Sequence, residues 1–314
     1  MNTPSENDVQ KAIESSGYPL EIRVAHTLAT RDYFDVIPSW DYRDDKTGES
    51  REIDVAALRL FDVRHRGKHC HSLMLHLLIE CKRSPAFVIY SAHPREILTE
   101  GGYDSMSVSY FGRPATMWMT RHETGWSGIE IVDHLKLGTL RWKWPDCVGS
   151  HYSFVHAKND QQRKQNNRMP KFKVGDEDFY HKKLLGLLKG TYKYREPYDT
   201  RVLSGPGSVQ PHFVIPILVM DADMYEYDVG SASLRRITCA AICRSYRGEF
   251  AARFRIDVIQ ESALGAYLET LENDFSKIAV QIGKEYPLWE QALQVEFEMS
   301  TKNAHSTPLP ATVP

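Results

Sequence analysis

The chain has 314 residues, of which 42% are hydrophobic and 25% charged, and its formal net charge is -2. These are ordinary globular values, and they exclude a disordered, collagen-like or low-complexity chain. At ~150 residues per domain, the length fits one elaborated domain or two small ones.

Glu6–Ser16 reads as a helix ended by Gly17, and Pro19 opens a second helix over Leu20–Thr30. Phe34–Arg43 is extended. Asp44–Glu49 has turn composition, and Arg51–Phe61 returns as a strand, which makes a hairpin. Arg64–His71 reads as a polar loop. Ser72–Lys82 is a long apolar strand, and Ala86–Ser91 is a second short extended piece. Pro94–Gly175 holds four of the six tryptophans, scattered Gly and Pro and little periodicity. It reads as an insertion of short strands and loops, with Gln161–Arg168 a surface loop or frayed helix. Asp176–Tyr194 carries Phe179, Leu184, Leu185, Leu187 and Leu188 at helical spacing. Thr200–Pro211 is a Gly/Ser/Pro linker. His212–Met220 is a buried strand, continued by Tyr225–Val229 after an Asp-Ala-Asp turn. Ile237–Cys243 and Phe250–Ile259 are two further strands, and Ser262–Gly283 is a long helix. The Pro/Thr/Ser-rich tail from Thr301 has the composition of a disordered segment. The expected organisation is a core over 1–230 with an insertion at about 94–175, an extension over 231–300, and a tail over 301–314.

No apolar run approaches the ~20 residues of a bilayer span. Met1–Asp8 is polar and acidic, unlike a secretory leader. Five irregularly spaced cysteines do not make a disulfide framework, so a reducing, cytoplasmic setting is expected. Charge is segregated along the chain. Lys158–Arg195 carries a local excess of seven positive charges, including Arg163, Lys164, Arg168, Lys171 and Lys173. Six arginines lie in Ser231–Val258. Such stripes either form a solvated face or steer a polyanion. The five residues named first are the candidate nucleic-acid contacts; Arg235, Arg236, Arg244 and Arg247 are further ones.

The residues that carry chemistry are Asp54, Glu80 and Lys82. Glu80 and Lys82 lie two apart on a strand and share a face. A carboxylate and an ammonium at the end of a Leu-rich strand are poor core fillers, because charges are rarely buried unless paired or bound to metal. Asp54 sits between Ile53 and Val55 on the preceding strand. Two carboxylates from adjacent strands can hold one hard divalent cation. Glu21 lies on the apolar stripe of the second helix with Val24, Ala25 and Leu28, again out of place unless it reaches a site. A plain surface pairing of Glu80 with Lys82 is the bland alternative. A single lysine near a strand end is expected to contribute little to folding.

Glu21 on a helix, then R-E-I-D-V on one strand and L-I-E-C-K on the next, resembles the PD-(D/E)XK nuclease superfamily. The motif resemblance covers about Pro19–Ser84 and extends in outline to about Val229. It implies an α/β, restriction-endonuclease-like fold: a mixed sheet flanked by helices, here with a large insertion and a C-terminal α+β extension. It implies Mg²⁺-dependent hydrolysis of DNA phosphodiesters, with Mn²⁺ able to substitute, by an endonuclease associated with defence against foreign DNA. Asp54, Glu80 and the Cys81 carbonyl are then the implied metal ligands. Lys82 orients or helps deprotonate the attacking water, and Glu21 binds a second cation or a metal-bound water. The implied partner is DNA, with no membrane and with room for a homodimer or a partner subunit. Three alternatives stay open: an RNA-cleaving nuclease of the same fold, a catalytically inactive nucleic-acid-binding module, and a structural or signalling protein whose basic stripe binds an acidic partner.

Other clusters say less. His65, His69, Cys70 and His71 lack a second ligand pair at zinc spacing. Cys239 and Cys243 read as buried thiols. Asp221 and Asp223 fit a turn better than a second metal site. Gly205–Gly207 lacks the Lys-Ser/Thr helix start of a phosphate loop.

Overall fold

The structure, a computed structural model, describes residues 4–91, 109–111, 116–122, 125–130, 134–136, 145–149, 151–157, 172–175, 184–201, 211–247 and 251–295. The first helix, α1 (Glu6–Ser15), is started by a reciprocal cap. Ser5 Oγ accepts from the Asp8 N–H, and the Asp8 carboxylate accepts from the Ser5 N–H at 3.2 Å. Such a box satisfies two of the donors that a helix start leaves without partners. Helix α2 (Tyr18–Ala29) has Pro19 in its first turn and buries Leu20, Val24, Ala25 and Leu28.

Strand β1 (Phe34–Arg43) pairs antiparallel with β2 (Ser50–His65), and β2 pairs antiparallel with β3 (Lys68–Ser91). The expected polar loop between β2 and β3 is instead a tight hairpin. His65 faces Lys68 across it, and Arg66 and Gly67 both have positive φ, 49° and 79°. Two central residues with positive φ match the twist of a two-residue hairpin, and the strands run on through the histidines. The strand expected to end at Lys82 also continues to Ser91.

Short strands from the inserted region are β4 (Ser109–Phe111), β5 (Thr116–His122), β6 (Gly125–Glu130), β7 (Cys147–Gly149), β8 (His151–Ala157) and β9 (Phe172–Gly175). Of these β5 and β6 pair only with each other, while the rest join the main sheet. Helix α3 (Leu185–Arg201) starts later than the expected helix and runs past Tyr194; Phe179 and most of the 158–183 stretch lie outside the described residues.

Strand β10 (His212–Asp228) is continuous, and the Asp-Ala-Asp turn is a bulge inside it, where the register with β3 slips between Asp221 and Asp223. It is followed by β11 (Ser233–Ile237), β12 (Cys239–Arg247), β13 (Ala251–Gln260) and α4 (Leu264–Lys284). A last helix, α5, spans 286–295 and was not expected from the sequence.

The described residues form an eleven-stranded mixed sheet with the path β1-β2-β3-β10-β13-β12-β7. Strand β10 is parallel to both β3 and β13, and β12 is antiparallel to β13. The C-terminal segment therefore extends the same sheet. Helices α2, α4 and α5 cover one face, where Leu20, Leu28, Leu268, Phe275 and Trp289 meet Val55, Leu77, Ile79 and Phe213. Helix α3 covers the other, with Leu187 and Leu188 against Ile53, Ala56, Leu78 and Leu218. Covering on both faces explains why β10 is buried without interruption from His212 to Met220. The protein is thus α/β, a mixed sheet flanked by helices. No helix among the described residues is long and apolar enough to cross a membrane.

A candidate active site where the sheet forks

The β2–β3 ladder runs from the hairpin turn to Val55 opposite Ile79. Beyond that pair the strands part. β2 stays with β1, as Ile53 faces Trp40 and Arg51 faces Tyr42. β3 stays with β10, as Glu80 faces Leu218 and Lys82 faces Met220. Asp54 and Glu80 are the first residues past the last pair, one on each arm of the fork.

The pleat of β2 also slips here. Residues i and i+2 of a regular strand share a face, yet Ile53 belongs to the α3 side and Val55 to the α2/α4 side. Asp54 lies at the slip. Its Oδ2 accepts the Cys81 N–H at 2.7 Å, so the carboxylate stands in for the ladder carbonyl that the fork removes. This is a sequence-specific reason for Asp: a short side chain ending in an acceptor closes the gap.

Lys82 Nζ lies 3.0 Å from Glu80 Oε1 and 3.3 Å from Asp54 Oδ2. The two oxygens are therefore no more than about 6.3 Å apart, the sum of those distances. Asp54 is 6% exposed and Glu80 2%, a degree of burial that two carboxylates tolerate only with a cation beside them. Burial works against the Lys82 ammonium, but Glu80 and Asp54 outweigh it and hold its pKa above the ordinary lysine value. Burial, then Asp54 and Glu21, push the Cys81 thiol up, so this cysteine is inert packing. Glu21 reaches the same electrostatic neighbourhood from α2. Its carboxyl is raised first by burial and then by Asp54, with Lys82 pulling the other way.

A cation is what the two carboxylates already share, and the donor chemistry, hard oxygen on oxygen, suits Mg²⁺. Among the described residues no group of three or more His, Cys, Asp or Glu side chains is gathered tightly enough to hold a metal. Any such ion would rest on Asp54 and Glu80 as its side-chain ligands. Mg²⁺ commonly binds one or two carboxylates and keeps several waters, so the pair fits it.

The candidate phosphate contacts are placed unevenly. Lys173 lies on β9, paired with His156 of β8. Arg163, Lys164, Arg168 and Lys171 lie outside the described residues. Two lysines of the same basic stretch are structural: Lys189 Nζ lies 3.0 Å from buried Asp44, and Lys193 Nζ 2.5 Å from Asp45. Arg235 pairs with Glu226 and Arg236 with Asp223. The histidine hairpin is also structural: His65 Nδ1 donates to the Gly283 carbonyl at 2.9 Å, and His69 pairs with Asp62.

Sequence reasoning passed over a second feature, further along β3 than Lys82. A cavity of about 650 Å³ is lined by Arg83, Ser84 and Pro85 of β3, Met220–Asp223 of β10, and Gln260, Glu261 and Ser262 after β13. Arg83 Nε lies 2.8 Å from Asp221, and Arg23 of α2 makes a two-pronged contact with Glu261 at 2.5 and 3.0 Å. The available signal was positional, since Arg83 follows Lys82 and Arg23 follows Glu21 by two. Compared with family models, curated proteins and solved structures, the chain matches none.

Proposed function

We propose that the protein is a metal-dependent nuclease that hydrolyses DNA phosphodiester bonds, an endonuclease of restriction-endonuclease-like fold. The observation that carries this reading is the meeting of Asp54 and Glu80, from two parting strands, on one cation, the Lys82 ammonium. The order helix, three strands, helix, strand over α2, β1–β3, α3 and β10 supports the fold part of the reading.

Asp54 and Glu80, with the Cys81 carbonyl, would hold Mg²⁺ or Mn²⁺ at the fork. When bound, the ion supplies a Lewis acid for the phosphoryl oxygen and lowers the pKa of a coordinated water. Lys82 then has two tasks, orienting the attacking water and offsetting the charge that builds on phosphorus in the transition state. A preplaced cation in a site with little water is worth more there than in solution, commonly ~10²–10³ in rate per donor group. Glu21, at the α2 side, would hold a further cation or its water. The Cys81 N–H fixes Asp54 from behind, so the carboxylate does not have to be ordered when substrate arrives.

The test is digestion of supercoiled plasmid, single-stranded DNA and RNA, with Mg²⁺ present or chelated. DNA cleavage only with Mg²⁺, converting supercoiled plasmid to nicked or linear forms, supports the reading. Cleavage of RNA alone transfers it to an RNA nuclease of the same fold. Retention of DNA without cleavage in Mg²⁺ or Mn²⁺ makes the protein a binding module and removes the enzyme.

A further inference from the structure

Helix α2 carries Glu21, so the placement of the helix decides where that carboxylate stands. Burial of Leu20, Val24, Ala25 and Leu28 sets how deeply α2 sits on the sheet. Burial is non-directional, so it does little to stop the helix from turning or sliding. Directed bonds do that, and α2 has a set near each end. At its start, Arg23 Nε and Nη2 donate to the two carboxylate oxygens of Glu261, the residue after β13, at 2.5 and 3.0 Å. Just past its end, Arg31 Nε and Nη2 donate to the two oxygens of Glu272 of α4, both at 3.1 Å. Two-pronged pairs of this kind fix orientation as well as distance.

The first joint reaches further. Arg23 Nη2 lies 3.9 Å from Asp221 Oδ2 of β10, and Arg83 Nε of β3 lies 2.8 Å from the same oxygen. An ion-pair chain from Arg83 through Asp221 and Arg23 to Glu261 thus ties the start of α2 to β3, β10 and the end of β13. Arg83 points to the opposite face of β3 from Lys82, the face where Cys81 packs with α2. The Arg23 and Glu261 side chains are 51% and 27% exposed, and ion pairs this open add little to stability. What the joint offers is placement, and Glu21 depends on it. A Cβ built on Gly17 would lie 3.0 Å from Glu21 Oε1, so the carboxyl rests on the start of its own helix and moves with that start. Its charged neighbours are Asp54, Lys82, Glu52 and Glu80.

We infer that Arg23 is a positioning residue for the metal centre: its two-pronged bond to Glu261 sets the start of α2 so that Glu21 faces the fork. The inference rests on the nuclease reading for taking Glu21 to serve a bound cation. Arg23 acts through Glu21, since its own charge is the wrong sign to hold a cation. By Coulomb attraction alone, removing that positive charge would strengthen cation binding. Losing the placement of Glu21 weakens it. The two effects have opposite signs, so the direction of the change identifies the role.

The experiment is calorimetric titration of Mn²⁺ into the full chain as wild type, Glu21→Gln, Arg23→Gln, the double variant and Arg31→Gln, with urea unfolding to check that each is folded. Glu21→Gln should weaken Mn²⁺ binding about tenfold or more, the usual scale for groups that support a metal site. Arg23→Gln should weaken it in the same direction, and the double variant no further than Glu21→Gln alone, because the two residues act as one unit. Arg31→Gln, which breaks the matching joint at the far end of the helix, should leave it unchanged. Unchanged or tighter binding by Arg23→Gln, an equal loss in Arg31→Gln, or losses that add in the double variant overturn the inference. A wild-type chain that binds no Mn²⁺ overturns it together with the metal-dependent nuclease. Parallel DNA digestion separates the two readings. Cleavage by wild type, with Glu21→Gln binding Mn²⁺ as wild type does, removes the role of Arg23 and leaves the nuclease. The expected binding pattern without cleavage in any metal keeps Arg23 as a positioning residue and removes the nuclease.

Discussion

Lys82 lies between two buried carboxylates, and its side chain is only 20% exposed. That placement overturns the expectation that a lysine near a strand end adds little to folding. In Lys82→Ala, Asp54 and Glu80 would face each other without a cation. Removing one partner of a buried ion pair commonly costs ~3–5 kcal/mol. Chemical denaturation in chelator should show Lys82→Ala destabilised by about that amount, and millimolar Mg²⁺ should restore much of it by replacing the ammonium. A variant as stable as wild type in chelator would show that the carboxylates do not depend on Lys82. Unrestored stability in Mg²⁺ would count against the pair as a metal seat. At this scale the sequence was informative: a carboxylate and an amine closing a Leu-rich run, and Asp54 between Ile53 and Val55, stand out because burial makes charge costly. Arg23 and Arg83 did not stand out, since exposed arginines are commonplace and their convergence on Asp221 is set by register.

At the scale of elements, α1, α2 and β1 were readable from caps, Pro19 and periodicity, all of them local signals. The Arg64–His71 hairpin was not, because its strand character comes from pairing rather than composition. Helix α4 leans on that hairpin: a Cβ built on Gly283 would lie 2.3 Å from the Arg64 carbonyl oxygen. Gly283→Ala must push helix and hairpin apart, at a cost of about 1–3 kcal/mol by the usual penalty for overpacking. An unchanged thermal midpoint would show that the contact is not tight. A second joint links β3, β10 and α3. His76 is fully buried, 2.9 Å from both the Tyr194 hydroxyl and His212 Nδ1. Burial, then His212, lowers its pKa from 6.5 to about 3. The folded state therefore keeps His76 neutral while the unfolded chain takes up a proton below ~6.5, so stability is full above that pH and falls as pH drops toward 3. The loss is at most about 1.4 kcal/mol per pH unit. Urea midpoints should fall between pH 7 and pH 4, more steeply in wild type than in His76→Gln. Equal slopes would remove His76 as the cause.

For the whole molecule, charge segregation was legible but its meaning was mixed. Lys189 and Lys193 anchor α3 to Asp44 and Asp45, so part of the basic stretch serves the fold. Lys173 and its neighbour in sequence Lys171 remain the candidates for phosphate contact. If both touch phosphate, replacing them with Ala should lessen the slope of log affinity against log salt by about 2, near one per contact. An unchanged slope would return the stripe to a solvated face. The mixed sheet and its C-terminal completion by β12 and β13 were only partly legible, because β13 joins β10 across a long connection that no local pattern records.

The central claim, that the fork of β2 and β3 is a metal-dependent phosphodiester-cleaving centre, is tested most directly by one set of single-turnover rates. Wild type, Asp54→Ala and Lys82→Ala are compared on the same DNA across a Mg²⁺ and Mn²⁺ series, at a denaturant-free temperature where all three are folded. The account predicts no cleavage in chelator and a wild-type rate that rises with metal. Asp54→Ala should recover partly at high metal, and Lys82→Ala should stay about 10²–10³ slower at every metal concentration. Cleavage by Lys82→Ala at the wild-type rate would contradict the account and place any activity elsewhere in the chain.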